Sequence, residues 1–386
     1  MLAAAGYSSY GVLAVLLPIL MTGTGTAETN LGYLASADLA GILVGSLCLS
    51  RITRPGNSRA IGAAGIAVGM LTNLATPWLH GIGALILIRF LAGFAAGICM
   101  SLAIGGLARF GNASFNTGIY SASTTLGISA ELLLFSYIQD AGGGAFGCYL
   151  VLVFVFLIAG LLLKWYPEMS GTHEATGHVS GGSQGASKAK TPFAILTSIF
   201  IYATGMSCFF AYAGVLGLKV GISDHALTPL FNVCNIVSLT GSWISIKVTD
   251  RFGPVLPQIL SLVLFAALLG LISMKDGPIT YIVLVMVIIE LTVLIQNGQI
   301  ALLIQYDSSG RTAALVPTAL GIGLAVGPLL GSFVLTAFQS YGVQLVMEAI
   351  CMLAAGAIVT LVSLGRNFRA LSLPAGIDSR RSDRSE

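Results

Sequence analysis

Five ionisable side chains stand within long apolar stretches of the sequence, and they are the first candidates for chemistry. They are Asp38, Arg89, Glu131, Glu290 and Glu348. A charged side chain at the centre of a bilayer costs roughly 2.5–3.5 kcal/mol on insertion scales, so each of the five needs a physical reason. Such groups bind a charged solute, carry a proton, or hold helices together through buried polar contacts.

Asp38 and Arg89 are predicted to form a partly buried ion pair. Each stands six or seven residues into a stretch that enters the membrane from outside. At 1.5 Å per helical residue, both groups lie roughly 10 Å below the outer surface. Pairing would offset the desolvation of each charge. In one interpretation Arg89 binds an anionic solute or relays protons, and in the other the pair is purely structural.

The three glutamates are predicted to have different roles. Glu290 stands near the middle of a predicted span, where desolvation disfavours the charged form and suits the group to exchange a proton. Gln296 and Asn297 follow it by one to two turns. Glu290 is alternatively a protonated acid bonded to a neighbouring helix. Glu131 stands in a run of serines and threonines, as a proton carrier or a helix–helix hydrogen bond with equal weight, whereas the structural interpretation is favoured for Glu348.

The elements that position these groups are predicted to be membrane helices. Hydrophobic residues make up 56% of the 386 positions and charged residues only 9%, against about 25% charged in soluble proteins. The apolar runs are about 20 residues long without alternation, which favours helices over barrel strands. Twelve spans are predicted, at 2–22, 31–50, 60–79, 83–107, 118–139, 145–166, 192–217, 227–247, 257–274, 278–304, 311–338 and 341–364.

The distribution of lysine and arginine predicts the orientation. With both termini cytoplasmic, fifteen of the 18 basic residues fall in inside loops and the tail, only Lys219 and Lys275 fall outside, and Arg89 lies within a span. Such an asymmetry is typical of the inner side of a membrane protein. The stretch 167–191 is predicted to be a cytoplasmic linker between an N-terminal six-helix half, 1–166, and a C-terminal half, 192–364. A cytoplasmic tail, 365–386, follows.

Several classes of protein are not favoured. No metalloprotease motif, phosphate-binding loop or nucleophile elbow is present, so neither an enzyme nor an ATP-driven pump is expected. The six cysteines show no paired spacing, and neither a metal site nor a cofactor is expected. The net charge of +3 is too small to suggest nucleic-acid binding.

A weak internal repeat appears at a shift of 196 residues. Gly45-Ser46 then falls on Gly241-Ser242, and Gly127 falls on Gly323. Two registers that agree at one shift predict two related halves, which is a known plan for transporters.

Three local motifs resemble those of the major facilitator superfamily. Asp250-Arg251-Phe252-Gly253 is similar to its D-R-x-G turn, and Arg89-Phe-Leu-Ala-Gly93 to its R-x-x-x-G motif. Gly323-Leu-Ala-Val-Gly327-Pro328-Leu-Leu-Gly331 is similar to its G-x-x-x-G-P-x-x-G motif. The resemblance spans nearly the whole chain and extends, more faintly, to a poorly characterised bacterial subgroup. It implies an all-α fold of twelve transmembrane helices in the bacterial cytoplasmic (inner) membrane.

The resemblance also implies roles for particular residues. It places Glu290, Tyr10 and Tyr202 on helices that line a central cavity, gives Arg89 a part in coupling, and makes the D-R-x-G and G-P motifs conformational. Two departures matter. The first-half loop at 51–56 lacks the acidic residue, and the G-P motif, which exporters of the family carry in span five, is here in span eleven, where span five has Glu131.

The sequence thus predicts a secondary transporter, expected as a monomer in the bilayer, that moves a small organic solute by alternating access. Protons are the expected coupling ion because of the membrane carboxyls, and Arg89 favours an organic anion as solute. Two alternatives stay open: efflux of amphipathic drugs or metabolites, and a sensor or scaffold that kept the fold without transporting.

Overall fold

The computed structural model describes residues 1–52, 57–107, 113–166, 190–274, 277–306 and 315–371. Within them the chain is almost entirely helical, as predicted. Most of the predicted linker and the end of the tail lie outside the described residues. Helix α13 continues to Leu371, so it extends beyond the predicted start of the tail at 365.

Thirteen α-helices follow one another in the described residues. They are α1 (Leu2–Gly11), α2 (Leu13–Thr24), α3 (Leu31–Ile52), α4 (Ser58–Ala75), α5 (Ile82–Leu107), α6 (Ala113–Asp140), α7 (Gly144–Leu162), α8 (Lys190–Lys219), α9 (Asp224–Phe252), α10 (Val255–Met274), α11 (Pro278–Tyr306), α12 (Val316–Phe338) and α13 (Tyr341–Leu371). Short 3₁₀ turns lie at Glu28–Asn30, Thr76–Trp78 and Leu163–Trp165.

The first predicted span is not one helix. It breaks at Val12 into α1 and α2, which are bent by 62°. Ten other helices of the described chain are long and apolar enough to cross a membrane, and the bent pair makes an eleventh span. The predicted fifth span, 118–139, corresponds to α6, which is long but carries the polar run and is not among them. The all-α membrane fold is confirmed, and the predicted count of twelve corresponds to eleven apolar spans and one polar helix.

The helices pack in two groups, α1–α7 and α8–α13. Most helix–helix contacts stay within a group, and the main contacts between the groups join α3 to α12, α6 to α9 and α2 to α8. We call the end of the bundle that holds residue 1 the inner end, which the sequence predicts to be cytoplasmic, and the opposite end the outer end.

Close glycine contacts repeat in the two groups at the shift of 196 residues. A Cβ on Gly127 would meet Ala4 of α1, and one on Gly323 would meet Phe200 of α8. In the same way, Gly45 lies against Phe94. Gly241 lies against Glu290, which is the residue 196 positions after Phe94. Equivalent residues therefore make equivalent contacts, and positions 196 apart can be compared directly.

Paired glycines set the closest helix crossing in the first group. Gly41 and Gly45 of α3 face Gly93 and Gly97 of α5, and a Cβ on any of the four would meet backbone atoms of the opposite helix. Small residues at such a crossing let membrane helices approach closely. The crossing fixes the depth at which Asp38 of α3 faces α5.

Candidate functional site

A central cavity of about 190 Å³ lies between the two helix groups at the level of the break between α1 and α2. Six helices line it. The residues are Tyr7, Tyr10, Gly11, Val12, Leu13, Ala14, Val15, Ile128, Met206, Ser207, Phe210, Phe231, Asn235, Ser238, Ile289, Thr292 and Gln296. None of these side chains is acidic or basic. Aromatic faces combined with a few hydroxyl and amide groups are typical of a site for an uncharged organic molecule.

Polar side chains of the cavity are tied to the neighbouring helices. The Asn235 amide donates to the carbonyl oxygen of Thr125 at 3.1 Å and to the hydroxyl of Ser129 at 3.0 Å, and so joins α9 to α6. The Gln296 amide lies 3.6 Å from the sulfur of Met206 across α11 and α8. These contacts hold two amides at the cavity wall while leaving each with further hydrogen-bonding capacity.

Two of the residues proposed from sequence line this cavity, and a third supports it. Tyr10 and Gln296 are part of the wall. Tyr202 is fully buried behind it and donates to the backbone oxygen of Thr292 at 3.3 Å. The sequence did not indicate that Ser207, Ser238 and Thr292 belong to the wall. The signal that could have found the last is its spacing, because Ile289, Thr292 and Gln296 recur at helical intervals on one face of α11.

Glu290 and Asn297 lie away from this face. Asn297 is exposed on the bundle surface, and neither residue lines the cavity. Glu290 packs between α11 and α9, where one carboxyl oxygen accepts a weak hydrogen bond from the Thr240 hydroxyl at 3.4 Å. Successive residues of an α-helix point about 100° apart. Glu290 therefore points away from the cavity although its neighbour Ile289 lines it. The expected place of Glu290 in the central cavity is therefore not the one observed.

Arg89 and Asp38 form the predicted ion pair. The Arg89 Nε atom lies 3.0 Å from Asp38 Oδ2, and Nη2 contacts the same oxygen. The remaining donors reach the Asn73 side-chain oxygen and the Ser9 hydroxyl, both at 3.2 Å, and the guanidinium lies over the ring of Tyr149. Four other helices, α1, α3, α4 and α7, thus hold Arg89 of α5.

The Arg89 guanidinium, which is held by these contacts, has no access to the cavity. Arg89 is only 2% exposed and lines neither the central cavity nor the second cavity below it, towards the inner end. The positions 196 residues later are Cys234 and Val285, both buried. The second group therefore makes the equivalent packing without charges. The geometry removes the reason for expecting an anionic solute, and a role for the pair in coupling stays a prediction.

Glu131 and Glu348 are the most deeply buried carboxyl groups. Glu131 is 1% exposed, and neither of its carboxyl oxygens has a hydrogen-bond partner among the described residues. Glu348 is fully buried in α13 and accepts from the Gln344 amide at 3.1 Å. That contact agrees with the structural interpretation of Glu348, whereas Glu131 has no comparable explanation.

A second cavity, the inner vestibule, lies between the central cavity and the inner end. Its volume is about 340 Å³, its wall is mostly apolar, and it shares Tyr7 and Tyr10 with the central cavity. Residues near the inner ends of α3, α5, α11 and α12 line it, including Leu47, Ile104 and Ile300. The two cavities together form a path from the centre of the bundle towards the inner end.

The outer end is closed by contacts between the helix groups. Glu28 accepts from the Lys219 ammonium at 3.1 Å and from the Tyr341 hydroxyl at 2.7 Å. On the opposite side, His225 lies 2.8 Å from Asp140. The Tyr212 hydroxyl also accepts the backbone N–H of Gly32 at 3.1 Å. Among the described residues, the two helix groups are therefore in contact at the outer end, on the side of the central cavity away from the inner vestibule.

The predicted conformational motifs lie at a turn and at a helix crossing. Asp250 and Arg251 are exposed at the end of α9, and Gly253 ends that helix with a φ of +71°, which favours glycine. On α12, Gly323 and Gly327 pack against the backbone of α8, and the next residue, Pro328, is buried with its carbonyl towards Gly32 of α3. The G-P motif thus lies where the two helix groups meet.

The match to a family model decides the identity. The model of the Major Facilitator Superfamily matches residues 1–308. The chain belongs to this superfamily. Its fold is that of membrane transporters, and no protein of curated function matches the chain significantly.

Solved structures of the superfamily share the fold at low sequence identity. The xylose transporter XylE from E. coli, in a partially occluded inward-open conformation, is 13% identical, with a TM-score of 0.67 over 97% of this chain and 98% of that one. A D-xylose-proton symporter is 16% identical, with a TM-score of 0.69 over 93% and 95%. The nucleoside transporter NupG is 13% identical, with a TM-score of 0.71 over 96% and 97%.

Removing one outer contact should shift the conformational equilibrium slightly. Glu28→Gln removes the charge that faces Lys219, and the side chains of this pair are 37% and 46% exposed. Exposed ion pairs contribute about 0.2–1 kcal/mol. We expect an increase of up to about fivefold in the outward-open fraction, measured with spin labels across the outer end. Asp224→Asn, a charge change close to the outer end, is the control, and an equal response in it would contradict the prediction.

Proposed function

We propose that the chain carries a small, uncharged, hydroxylated organic solute across the membrane by alternating access, coupled to protons. The central cavity supports this most directly, because it lies between two helix groups, joins the inner vestibule and is closed towards the outer end. A solute bound there would reach the outer side once the outer contacts open and the inner ends close. Such rocking of two bundles about a fixed site is a common plan for transporters.

The lining supports an uncharged solute instead of the organic anion favoured by the sequence. No lysine, arginine, histidine, aspartate or glutamate lines the cavity. A charged solute would be desolvated there without an opposite charge, at a cost of several kcal/mol. Arg89 was the reason for expecting an anion, and its donors are used within its own helix group.

The volume of the central cavity and its polar groups narrow the class of solute further. About 190 Å³ is below the roughly 300–1,000 Å³ of pockets for drug-sized ligands. The amides of Asn235 and Gln296 and the hydroxyls of Ser207, Ser238 and Thr292 suit a solute with several hydroxyl groups. The tyrosine and phenylalanine rings suit its less polar faces. A pentose or a similarly small polyol fits this combination, and two of the similar solved structures are a xylose transporter and a D-xylose-proton symporter.

A proton gradient is the proposed driving force. Buried membrane carboxyls without a basic partner suit reversible proton uptake, and Glu131 has neither a partner nor exposure to solvent. We expect the protein to act as a monomer in the bacterial inner membrane with both termini in the cytoplasm. The resemblance and the charge asymmetry of the loops support this placement.

Export of amphipathic compounds is the second candidate. The inner vestibule favours it, because its larger volume of about 340 Å³ has a mostly apolar wall that would suit a molecule arriving from the inner side. The two candidates differ in which solutes exchange. Small polyols should be exchanged in the first case, and apolar amines or dyes in the second.

The test is solute counterflow in proteoliposomes with pentoses, hexoses, nucleosides and amphipathic dyes. For the polyol that exchanges, Gln296→Leu should raise KM about 2- to 12-fold, because one hydrogen bond to the solute contributes about 0.5–1.5 kcal/mol. Asn297→Leu is the matched control, since it makes the same kind of change on the adjacent residue outside the cavity. Equal effects of the two variants would contradict the site. Exchange of no solute would contradict transport and favour the sensor or scaffold.

A further inference from the structure

We propose that the Glu131 carboxyl is the proton-binding site of this transporter, and that it acts on the break between α1 and α2. This inference rests on the proposed proton coupling and assigns it to one residue and one moving element. Four observations carry it: an internal comparison, the contacts around Glu131, the absence of a hydrogen-bond partner for its carboxyl among the described residues, and the start of a new helix at the break.

The position equivalent to Glu131 in the second helix group is a glycine. The residue 196 positions later is Gly327 of α12, and a Cβ on Gly327 would meet Thr204, Ser207 and Cys208 of α8. Helix α8 runs unbroken from Lys190 to Lys219. In the first group, a glutamate replaces the glycine, and the facing helix is broken at Val12, which is the equivalent of Cys208.

Contacts within the first group agree with this placement. Gly127 of α6 faces Ala4, and Ile128 faces Gly11. Glu131 stands one turn beyond Gly127 on the same helix face. Its carboxyl therefore lies towards the last turn of α1, at the depth where the helix stops. A side chain of this length needs room that the glycine at the equivalent position does not, and the bend supplies that room.

The Glu131 carboxyl is neutral in this conformation. Both oxygens are buried without a hydrogen-bond partner among the described residues, and an unpaired buried carboxylate would cost several kcal/mol. Among the described residues, the helices packed on α6 offer no free cation at this depth, since Arg89 of α5 is paired with Asp38. Their other titratable groups there are the phenols and thiols of Tyr7, Tyr10, Cys99, Cys148, Tyr149 and Cys234. His225 and Asp140 lie at the outer end, and Lys247, Asp250 and Arg251 lie near the inner end.

Arg89 is held on the other side of the same turn. Its Nη2 donates to the Ser9 hydroxyl of α1, and the Asp38 carboxylate balances its positive charge. The end of α1 is therefore fixed by the Arg89–Asp38 pair on one side, and it faces Glu131 on the other. Helix α2 packs instead on α8 of the other helix group, where Gly214 meets the backbone of Ala14, so a change of the bend would move the two groups relative to each other.

The backbone at the break supplies what the ionised carboxyl would need. The first turn of a helix has N–H groups without intrahelical partners and carries partial positive charge, and α2 begins at Leu13 beside the central cavity. The N–H groups of Val15 and Leu16 already bond to the carbonyl of Val12, so those of Leu13 and Ala14 are the ones that a carboxylate would approach. Glu131 does not line the central cavity, but Ile128, one turn away on the same helix, does. When the Glu131 carboxyl loses its proton to water that enters from the cavity, the carboxylate gains by approaching these N–H groups. Deprotonation thus changes the angle between α1 and α2, and with it the shape of the cavity wall.

The test compares Glu131→Gln, which keeps the size and stays neutral, with Glu290→Gln, a membrane carboxyl that packs between α9 and α11 away from the break. With the exchanged polyol, Glu131→Gln should lose at least tenfold of pH-gradient-driven accumulation while counterflow persists at a reduced rate. Glu290→Gln should still accumulate. Two further readouts do not depend on the solute. The infrared band of a protonated carboxyl that changes with pH should vanish only in Glu131→Gln. The distance between spin labels at positions 1 and 25, which flank α1 and α2, should change with pH only when Glu131 is present.

The outcomes separate this inference from the proposed function. Accumulation by Glu131→Gln at the wild-type level would overturn the assignment and leave proton-coupled transport standing with another carboxyl. Loss of accumulation only in Glu290→Gln would do the same. If a sodium gradient drives accumulation and Glu131→Gln abolishes that response, the site binds sodium and the proton assignment is wrong. A wild-type protein that exchanges no solute would instead contradict the proposed function.

Discussion

Replacing Arg89 with valine is expected to lower the free energy of unfolding by about 3–5 kcal/mol, which is the usual cost of removing one partner of a buried ion pair. Asp38 would be left with a buried charge, and one of its oxygens has no partner even now. The contacts of Arg89 with Asn73 and Ser9 would be lost as well. The measurement is thermal unfolding of the purified protein in detergent.

A double variant based on the second helix group should restore stability that the single variant loses. At the equivalent positions the second helix group has the buried, uncharged residues Cys234 and Val285. The double variant Asp38→Cys with Arg89→Val copies that pair, and it should recover at least half of the stability that either single variant loses. Recovery on this scale corresponds to a coupling energy of the kind that contacting residues show in double-mutant cycles. Additive losses would contradict the assignment of an ion pair.

The same double variant separates the two interpretations of the pair. If the pair is structural, the rescued protein should keep pH-driven accumulation of the exchanged polyol. If Arg89 acts in coupling, the rescued protein should fold and exchange the solute but fail to accumulate it. Either result requires the stability measurement first, because loss of transport in an unfolded protein carries no information on coupling.

The helices could be predicted from the sequence because apolar length alone requires them in a membrane. The ion pair could also be predicted, since two opposite charges at equal depth have few other ways to offset their desolvation. The 196-residue shift proved informative for a physical reason. Glycines at close helix crossings cannot be replaced freely, so Gly45 and Gly127 kept a detectable match to Gly241 and Gly323.

The lining of the cavity could not be predicted to the same extent. Glu290 and Gln296 both stand in the middle of α11, and only the rotation of that helix decides that Gln296 lines the cavity and Glu290 faces α9. The hydrophobic pattern cannot fix this rotation, because α11 is apolar on nearly all sides. The break at Val12 was also missed. Gly11 directly precedes it, but glycine is frequent in membrane helices and does not by itself mark a break, and Pro18 lies further along α2.

Substituting Gly32 with valine is expected to reduce transport at least tenfold without unfolding the protein. Gly32 begins α3 and meets the other helix group: a Cβ there would lie 2.5 Å from the Ser332 hydroxyl and 2.8 Å from that of Tyr212, and would also meet the carbonyl of Pro328. Overpacking of a well-packed contact typically costs about 1–3 kcal/mol. Because these contacts exist only while the outer end is closed, the cost falls on the inward-facing state and shifts the population outward about 5- to 150-fold.

The readout is access to the central cavity from the outer side. Ser207→Cys places a thiol in the cavity wall, in a background where the six native cysteines are replaced by alanine. A membrane-impermeant thiol reagent added outside should label it at least fivefold faster in Gly32→Val than in the parent protein. Gly270→Val is the matched control, because a Cβ on Gly270 has no neighbour within 4 Å. Gly97→Val, at the crossing of α3 with α5 inside one helix group, should instead lower thermal stability without changing the labelling of the folded fraction. If Gly32→Val behaved like Gly97→Val, the contact of α3 with α12 would be part of a rigid fold and the outer end would open elsewhere.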